Sequence, residues 1–199
     1  MISKTGSPED QTVRIRPIEI LRRHVHHPQT LQILLDHSRH VTKRAITIAQ
    51  NSLTDDPVDL NFIAEAAMLH DIGIIATNTP DLGCRGTLPY LCHGVEGRKI
   101  LEKEGLPRHA RVCETHIGVG LTAAEIAQDH LPLPERDMIP ETPEEQIICY
   151  ADLFYSKGSG HQTREKDCSA VEQSLRRFGE DKVALFRQWQ ARFEPEQSP

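Results

Sequence analysis

The chain has 199 residues, of which 38% are hydrophobic and 26% are charged, a composition typical of one soluble globular domain with a short extension. Its formal net charge of −6, counted with neutral histidine, argues against nucleic acid or an anionic membrane as a stable partner. Five cysteines, none in a Cys-x-x-Cys pair, favour free thiols in a reducing compartment. Because the chain has neither an apolar run of ~18 residues nor the apolar segment of a secretory signal, we expect a cytoplasmic protein.

Apolar residues recur at the helical period of about 3.6 through most of the chain. Residues 1–14 are polar and are expected to form a flexible lead. The periodic segments, many of them opened by proline or by a capping residue, predict helices at residues 17–26, 29–53, 60–70, 90–104, 107–116, 144–157, 168–178 and 182–193, with a short one from Thr122. No alternating strand pattern extends beyond a few residues, so the predicted fold class is all-α.

These helices divide the chain into three predicted parts. The flexible lead precedes a helical core at residues 15–160, and the helices at 161–199 are expected to pack on that core through Phe186 and Trp189. The connection at residues 73–89 is long for a compact helical domain, which marks it as functional or mobile.

The stretch at residues 64–73 carries the strongest chemical signal, because an apolar helical run there ends in His70-Asp71 and is stopped by Gly73. Asp152 lies in a similarly apolar segment, where a buried carboxylate would need a cation or several donors. Further histidines lie on or at the ends of other predicted helices. The complete set of candidate ligands is His37, His70, Asp71, His93, His116 and Asp152.

A shared metal centre is the simplest explanation for six such residues on five helices. Imidazole and carboxylate together suit Fe, Mn, Zn, Ni or Co better than Ca. His40, three residues after His37, is an alternative to it as the first ligand, and the position of Val41 favours His37.

The order His, His-Asp, His, His, Asp resembles the HD-domain metal-dependent phosphohydrolase superfamily. The local contexts agree, since Leu69-His-Asp-Ile-Gly73 is similar to the family signature and Tyr150-Ala-Asp152 to its final Ala-Asp. The resemblance implies an HD-domain-like helical bundle over roughly residues 30–157. It also implies two divalent transition metal ions, as in the two-metal branch of the family.

The resemblance implies a role for each ligand. His37, His70, Asp71 and Asp152 would hold the first metal. Asp71, the catalytic residue, would bridge to a second metal that His93 and His116 also hold. A hydroxide bridging the two metals would then attack phosphorus in line.

Phosphate binding would need cationic groups near the metals. The candidates are Lys43, Arg44, Arg85, Arg98, Lys99 and Lys157. We expect Arg85 and Arg98 to contact the substrate. Ile74 stands where several HD hydrolases carry a lysine, which argues against a cyclic-dinucleotide phosphodiesterase, as does the lack of that group's Gly-Tyr-Pro motif.

Three functions fit this pattern. The leading one is a phosphomonoesterase or phosphodiesterase that acts on a nucleotide or another small phosphorylated metabolite, with a homodimer as a possible state. The second is a mixed-valent di-iron oxygenase of the same superfamily that acts on a small polyol or phosphonate. The third is a binding or regulatory module without turnover, against which the complete ligand set argues.

Overall fold

The computed structural model describes residues 15–51, 57–157 and 165–195, and within these ranges it is mainly helical. The α-helices among the described residues are α1 (Pro17–His24), α2 (Pro28–Asn51), α3 (Leu60–Leu69), α4 (His93–Lys103), α5 (Pro107–Thr115), α6 (Ala123–Gln128), α7 (Pro143–Asp152), α8 (Cys168–Arg176) and α9 (Glu180–Phe193). The predicted all-α class is confirmed. The predicted flexible lead and the boundary near residue 160 lie outside the described residues, so the division into three parts stays a prediction.

The long helix α2 carries the buried stripe that its sequence period predicts. Leu34, Val41, Ala45 and Ile48 are buried on one face, and His37 lies on that face among them. Helix α2 packs against α3 and α7 along this stripe. An imidazole on the stripe therefore points into the centre of the bundle.

Helix α7 packs on α9 through a cluster of aromatic side chains. Tyr150 and Phe186 stack with ring centroids 5.3 Å apart, and Phe154 and Phe193 contact Tyr150 edge-on. The Tyr150 hydroxyl also donates a hydrogen bond to Glu194, 2.9 Å away. The C-terminal helix α9 thus packs on α7, and it also contacts α2.

The end of α7 differs from its prediction. The helix was expected to continue to residue 157, but it ends at Asp152, with Leu153 as its C-cap. Hydrogen bonds from Phe154 N to Ala151 O and from Tyr155 N to Asp152 O tighten the chain into turns there. The five residues after Asp152 therefore fold back rather than extending along the helix axis.

The connection between α3 and α4 is compact. It contains 3-10 turns at Ile72–Ala76, Pro80–Leu82 and Tyr90–Cys92. Between them lies a two-stranded antiparallel ribbon of β1 (Asn78–Thr79) and β2 (Cys84–Arg85), which the sequence pattern did not predict because each strand is too short for an alternation.

Gly73 allows the turn after α3 to lie directly on α4. A Cβ atom at this position would lie 2.0 Å from the carbonyl oxygen of His93 and 2.2 Å from the backbone nitrogen of Gly97. Only glycine fits between two backbones this close.

Among the described residues, no helix is both long enough and apolar enough to cross a membrane.

Candidate metal centre

The structure brings the six predicted ligands together inside the bundle, in two groups that share Asp71. Five helices position them: His37 lies in the middle of α2, His70 and Asp71 directly follow α3, His93 is the first residue of α4, His116 follows α5, and Asp152 ends α7. All six are buried apart from Asp152, whose side chain is 16% exposed.

The first group gathers around one oxygen of Asp71. The Nε2 atoms of His37 and His70 each lie 3.1 Å from Asp71 Oδ2. The same two nitrogens lie 2.9 Å and 3.4 Å from Asp152 Oδ1, and 3.3 Å from each other. Two nitrogens and two oxygens therefore face one small volume.

The second group gathers around the other oxygen of the same carboxylate. The Nε2 atoms of His93 and His116 lie 3.3 Å and 3.4 Å from Asp71 Oδ1 and 3.1 Å from each other. Asp71 thus directs one oxygen to each group, which is how a carboxylate bridges two cations.

Backbone carbonyls orient three of the rings. The Nδ1 atoms of His70, His93 and His116 lie 2.6, 2.7 and 2.7 Å from the carbonyl oxygen of the residue three positions earlier. Since a carbonyl only accepts, each Nδ1–H donates, and each Nε2 is turned toward the centre. This is the arrangement by which proteins fix the tautomer of a metal-binding histidine.

The spacing and chemistry of these atoms fit cations. Metal–ligand bonds of about 2.1 Å place neighbouring ligand atoms roughly 3.0 to 3.4 Å apart, close to the separations found in both groups. Carboxylate oxygens and the lone pairs of neutral imidazoles all accept hydrogen bonds, so these atoms repel one another unless a proton or a cation lies between them. Within the described residues, Asp71 Oδ1 and Asp152 Oδ1 are buried and have no hydrogen-bond donor in bonding geometry.

The ionisation of these side chains also indicates a centre that attracts positive charge. Burial alone would lower the pKa of His70, but the carboxylates of Asp71 and Asp152 outweigh it and raise the pKa to about 10. Burial would raise the pKa of Asp71, yet His70 and Lys157 hold it well below its usual range. Burial lowers the pKa of His93 to about 3, which keeps its ring neutral.

Two further residues line the centre and were not among the predicted site residues. Lys157 Nζ lies 2.8 Å from Asp71 Oδ2, and its side chain is 10% exposed. Tyr90 stacks on His93 with ring centroids 4.6 Å apart, lies 5.8 Å from Lys157 Nζ, and remains 40% exposed. Lys157 was a candidate in the sequence only as one of several cations that could bind phosphate.

Arg85 and Arg98 are the two predicted substrate contacts. Arg98 forms ion pairs with Glu102 and with the buried Glu114, and Arg85 is exposed on β2. Among the described residues, neither guanidinium forms an ion pair with a candidate ligand. Their role in substrate binding stays a prediction. His40 is exposed and contacts the Tyr155 ring at a tilted angle, so His37 is the histidine of this helix that reaches the centre.

Comparison with known proteins decides the family. A sequence profile of the HD domain matches residues 34–156. The chain belongs to the HD domain family. The match begins in α2 and ends just after α7, so it includes all six candidate ligands, and the predicted resemblance is confirmed. The HD domain places the chain in a superfamily of metal-dependent hydrolases, and the His/Asp cluster indicates that it binds divalent metal.

The curated proteins that this chain is similar to include the following three. Two are named as tRNA (cytidine(56)-2'-O)-methyltransferases: the one from Picrophilus torridus is 38% identical over 101 residues, 50% of this chain and 26% of that protein. The one from Thermoplasma volcanium is 32% identical over 124 residues, 62% of this chain and 32% of that protein. An uncharacterized protein of Methanocaldococcus jannaschii is 35% identical over 96 residues, 48% of this chain and 49% of that protein. No solved structure matches the chain.

These matches span about a quarter to a half of the relatives' length, and they correct one expectation. We expected a small phosphorylated substrate and no stable binding of nucleic acid. Two relatives are named for a reaction on tRNA, which contradicts both. The net charge of −6 misled the prediction because it averages over the whole surface and does not describe the surroundings of the site, where Lys157 contributes positive charge.

Proposed function

We propose that this HD domain is a metal-dependent phosphohydrolase that cleaves a phosphate ester carried by RNA, and that it does so in the cytoplasm. The division of the Asp71 oxygens between two histidine groups is the observation that supports it most directly. A shared carboxylate is suited to two cations held close together, and such pairs are typical of enzymes that hydrolyse phosphate esters.

In this proposal the first cation is held by His37, His70, Asp71 and Asp152, and the second by Asp71, His93 and His116. Fe, Mn, Zn, Ni and Co all suit this ligand set. When bound, the cations would lower the pKa of water and offset the negative charge of a phosphate.

The protein's own contribution is to hold charges and lone pairs in place. The carbonyl hydrogen bonds of three histidines fix their rings, so no reorientation is needed when the substrate enters. Asp71 is fully buried and ionised, which keeps its two oxygens available to both groups. The second group has only three protein ligands, which leaves positions for water and substrate.

Two observations favour RNA as the carrier of the phosphate. The relatives named as tRNA methyltransferases act on tRNA by name. In addition, Tyr90 presents a partly exposed ring beside the centre, and proteins that bind single-stranded RNA commonly stack bases on such rings.

The proposal is tested with purified protein whose metal content has been measured. Protein loaded with Mn, Fe, Co, Ni or Zn is incubated with RNA oligonucleotides that end in a 5'-phosphate, a 3'-phosphate or a 2',3'-cyclic phosphate, and with unmodified tRNA. Release of phosphate, or opening of the cyclic ester, is expected with at least one metal and should be lost in Asp71→Asn. Metal-loaded protein that cleaves none of these esters would contradict the proposal.

The names of two relatives favour a second candidate, a part in 2'-O-methylation of tRNA. Incubation of tRNA with the protein and a radiolabelled methyl donor tests it, since label retained in tRNA would support methyl transfer.

The same metal-loaded samples also test the oxygenase alternative, for which iron-loaded protein should consume oxygen and give a mixed-valent electron paramagnetic resonance signal.

A further inference from the structure

Lys157 brings a positive charge to the metal centre from a sequence position outside the His-Asp-Ile-Gly signature. The residue just after His-Asp-Ile-Gly is Ile74, which is fully buried among apolar residues, so no charge comes from that position. Because α7 ends at Asp152, the following residues fold back and carry the Lys157 ammonium to Asp71.

The contact of Lys157 cannot stay as it is once cations bind. Lys157 Nζ lies 2.8 Å from Asp71 Oδ2, the oxygen that also faces His37 and His70 at 3.1 Å. A cation bound to this oxygen would repel the Lys157 ammonium. It would also neutralise the Asp71 carboxylate, which is the counter-ion of that ammonium. A largely buried ammonium that loses its counter-ion is costly, so a loaded centre would favour a new anion beside Lys157.

We propose that Lys157 is a catalytic residue that exchanges Asp71 for the substrate, donating from Nζ to a non-bridging oxygen of the phosphate once cations occupy the centre. The inference deepens the proposed function and rests on it for the presence of metal and phosphate. It assigns to Lys157 the contact that the sequence led us to expect from Arg85 and Arg98.

The surroundings of Lys157 support this exchange. Arg98 is already held by Glu102 and by the buried Glu114, whereas Asp71 is the only ion-pair partner that Lys157 has among the described residues. The exposed ring of Tyr90 lies 5.8 Å from Nζ, so the ammonium lies beside a side chain that solvent can reach.

The test measures binding of inorganic phosphate by calorimetry to protein with confirmed metal content, which requires no turnover. Lys157→Met is compared with the wild type, with Lys157→Arg, and with Lys103→Met as the control. Lys103 is an exposed lysine in the last turn of α4, so its loss should change neither metal nor phosphate binding. Because a hydrogen bond between charged groups is at stake, Lys157→Met should bind phosphate at least about tenfold more weakly. Lys157→Arg should regain part of the affinity.

Metal content separates this role from a structural one. Lys157→Met should keep its metal, or bind it more tightly, since the ammonium no longer competes for Asp71. Equal phosphate affinity in the wild type and Lys157→Met would overturn the inference, and so would loss of metal from Lys157→Met or a wild type that binds no phosphate. Phosphate binding that depends on Lys157 in a protein that hydrolyses no ester would instead count against the proposed function alone.

Discussion

Three imidazole rings of the centre are held in the same way, by Nδ1–H bonds to the carbonyl three residues earlier. Two of them, His70 and His116, are C-cap residues, where the last carbonyls of a helix lack an intrahelical donor. The helix end thus supplies an acceptor that orients the ring, and the ring occupies that free acceptor. The free carbonyl at each helix end therefore explains why His70 and His116, two of the candidate ligands, lie at the C-terminal ends of helices.

Asp71→Asn tests the shared carboxylate. The amide keeps the shape of the side chain but loses its negative charge, so at least one cation should be lost and the remaining affinity should fall by about 100-fold or more. Metal per protein chain after dialysis, measured by plasma mass spectrometry, checks this. Asp36→Asn is the matched control, since Asp36 lies on the surface of α2 and accepts from Gln32. An Asp71→Asn protein with its full metal content would refute the bridging role.

Tyr90 is expected to support a nucleobase rather than the phosphate. Tyr90→Ala should weaken binding of a short single-stranded RNA about tenfold, because base stacking on an aromatic ring contributes ~1–3 kcal/mol, while its affinity for inorganic phosphate should stay unchanged. Tyr90→Phe should behave as the wild type. Phe178, which is 71% exposed, provides an aromatic control for alanine substitution. Fluorescence anisotropy of labelled RNA measures the effect, and equal affinity for Tyr90→Ala would exclude the stacking role.

At the scale of elements, most helices could be predicted because their apolar period reports which side is buried. Helix α7 shows where this fails: its amphipathic pattern continues past Asp152, but tertiary packing turns the chain there. Lys157 therefore could not be placed from sequence. Arg98 could have been, since Glu102 lies four residues on and such spacing predicts an ion pair on the helix surface. The candidate ligands could be found because buried charged or imidazole groups stand out in apolar segments.

Gly73→Ala tests the contact between the turn after α3 and α4. The new methyl group would clash with the backbone of His93 and Gly97, so the free energy of unfolding should fall by about 1–3 kcal/mol. The same displacement should weaken metal binding, because it moves His93 relative to Asp71. Gly105→Ala is the control: its φ of +75° is unfavourable for alanine, but its Cβ would meet no atom within 4 Å. Urea unfolding of both variants measures the difference, and a larger loss at Gly105 would contradict the expectation.

At the scale of the whole molecule, the candidate ligands join helices from α2 to α7. A cation bound to them would link most of the bundle and would bind the folded chain far better than the unfolded one. Stability and metal occupancy are therefore expected to be coupled throughout the protein.

Removal of metal should lower the melting temperature. A ligand at 100 times its dissociation constant stabilises a protein by about 2.7 kcal/mol, which corresponds to a shift of roughly 5 °C or more for a chain of this size. Differential scanning fluorimetry with and without a chelator measures it. His70→Ala should show no metal-dependent shift, whereas the surface variant Lys103→Met should keep the full one. An equal melting temperature with and without metal in the wild type would argue against metal as a structural link.

The HD domain match ends at residue 156, but the aromatic cluster that supports α7 continues beyond it. Tyr150 and Phe154 pack against Phe186 and Phe193 of α9. A truncation at the family boundary would therefore expose the apolar rings of Tyr150 and Phe154 close to Asp152. Such a fragment would retain every candidate ligand and still be expected to aggregate. A protein that carries this domain without α9 is therefore expected to cover Tyr150 and Phe154 with other apolar side chains.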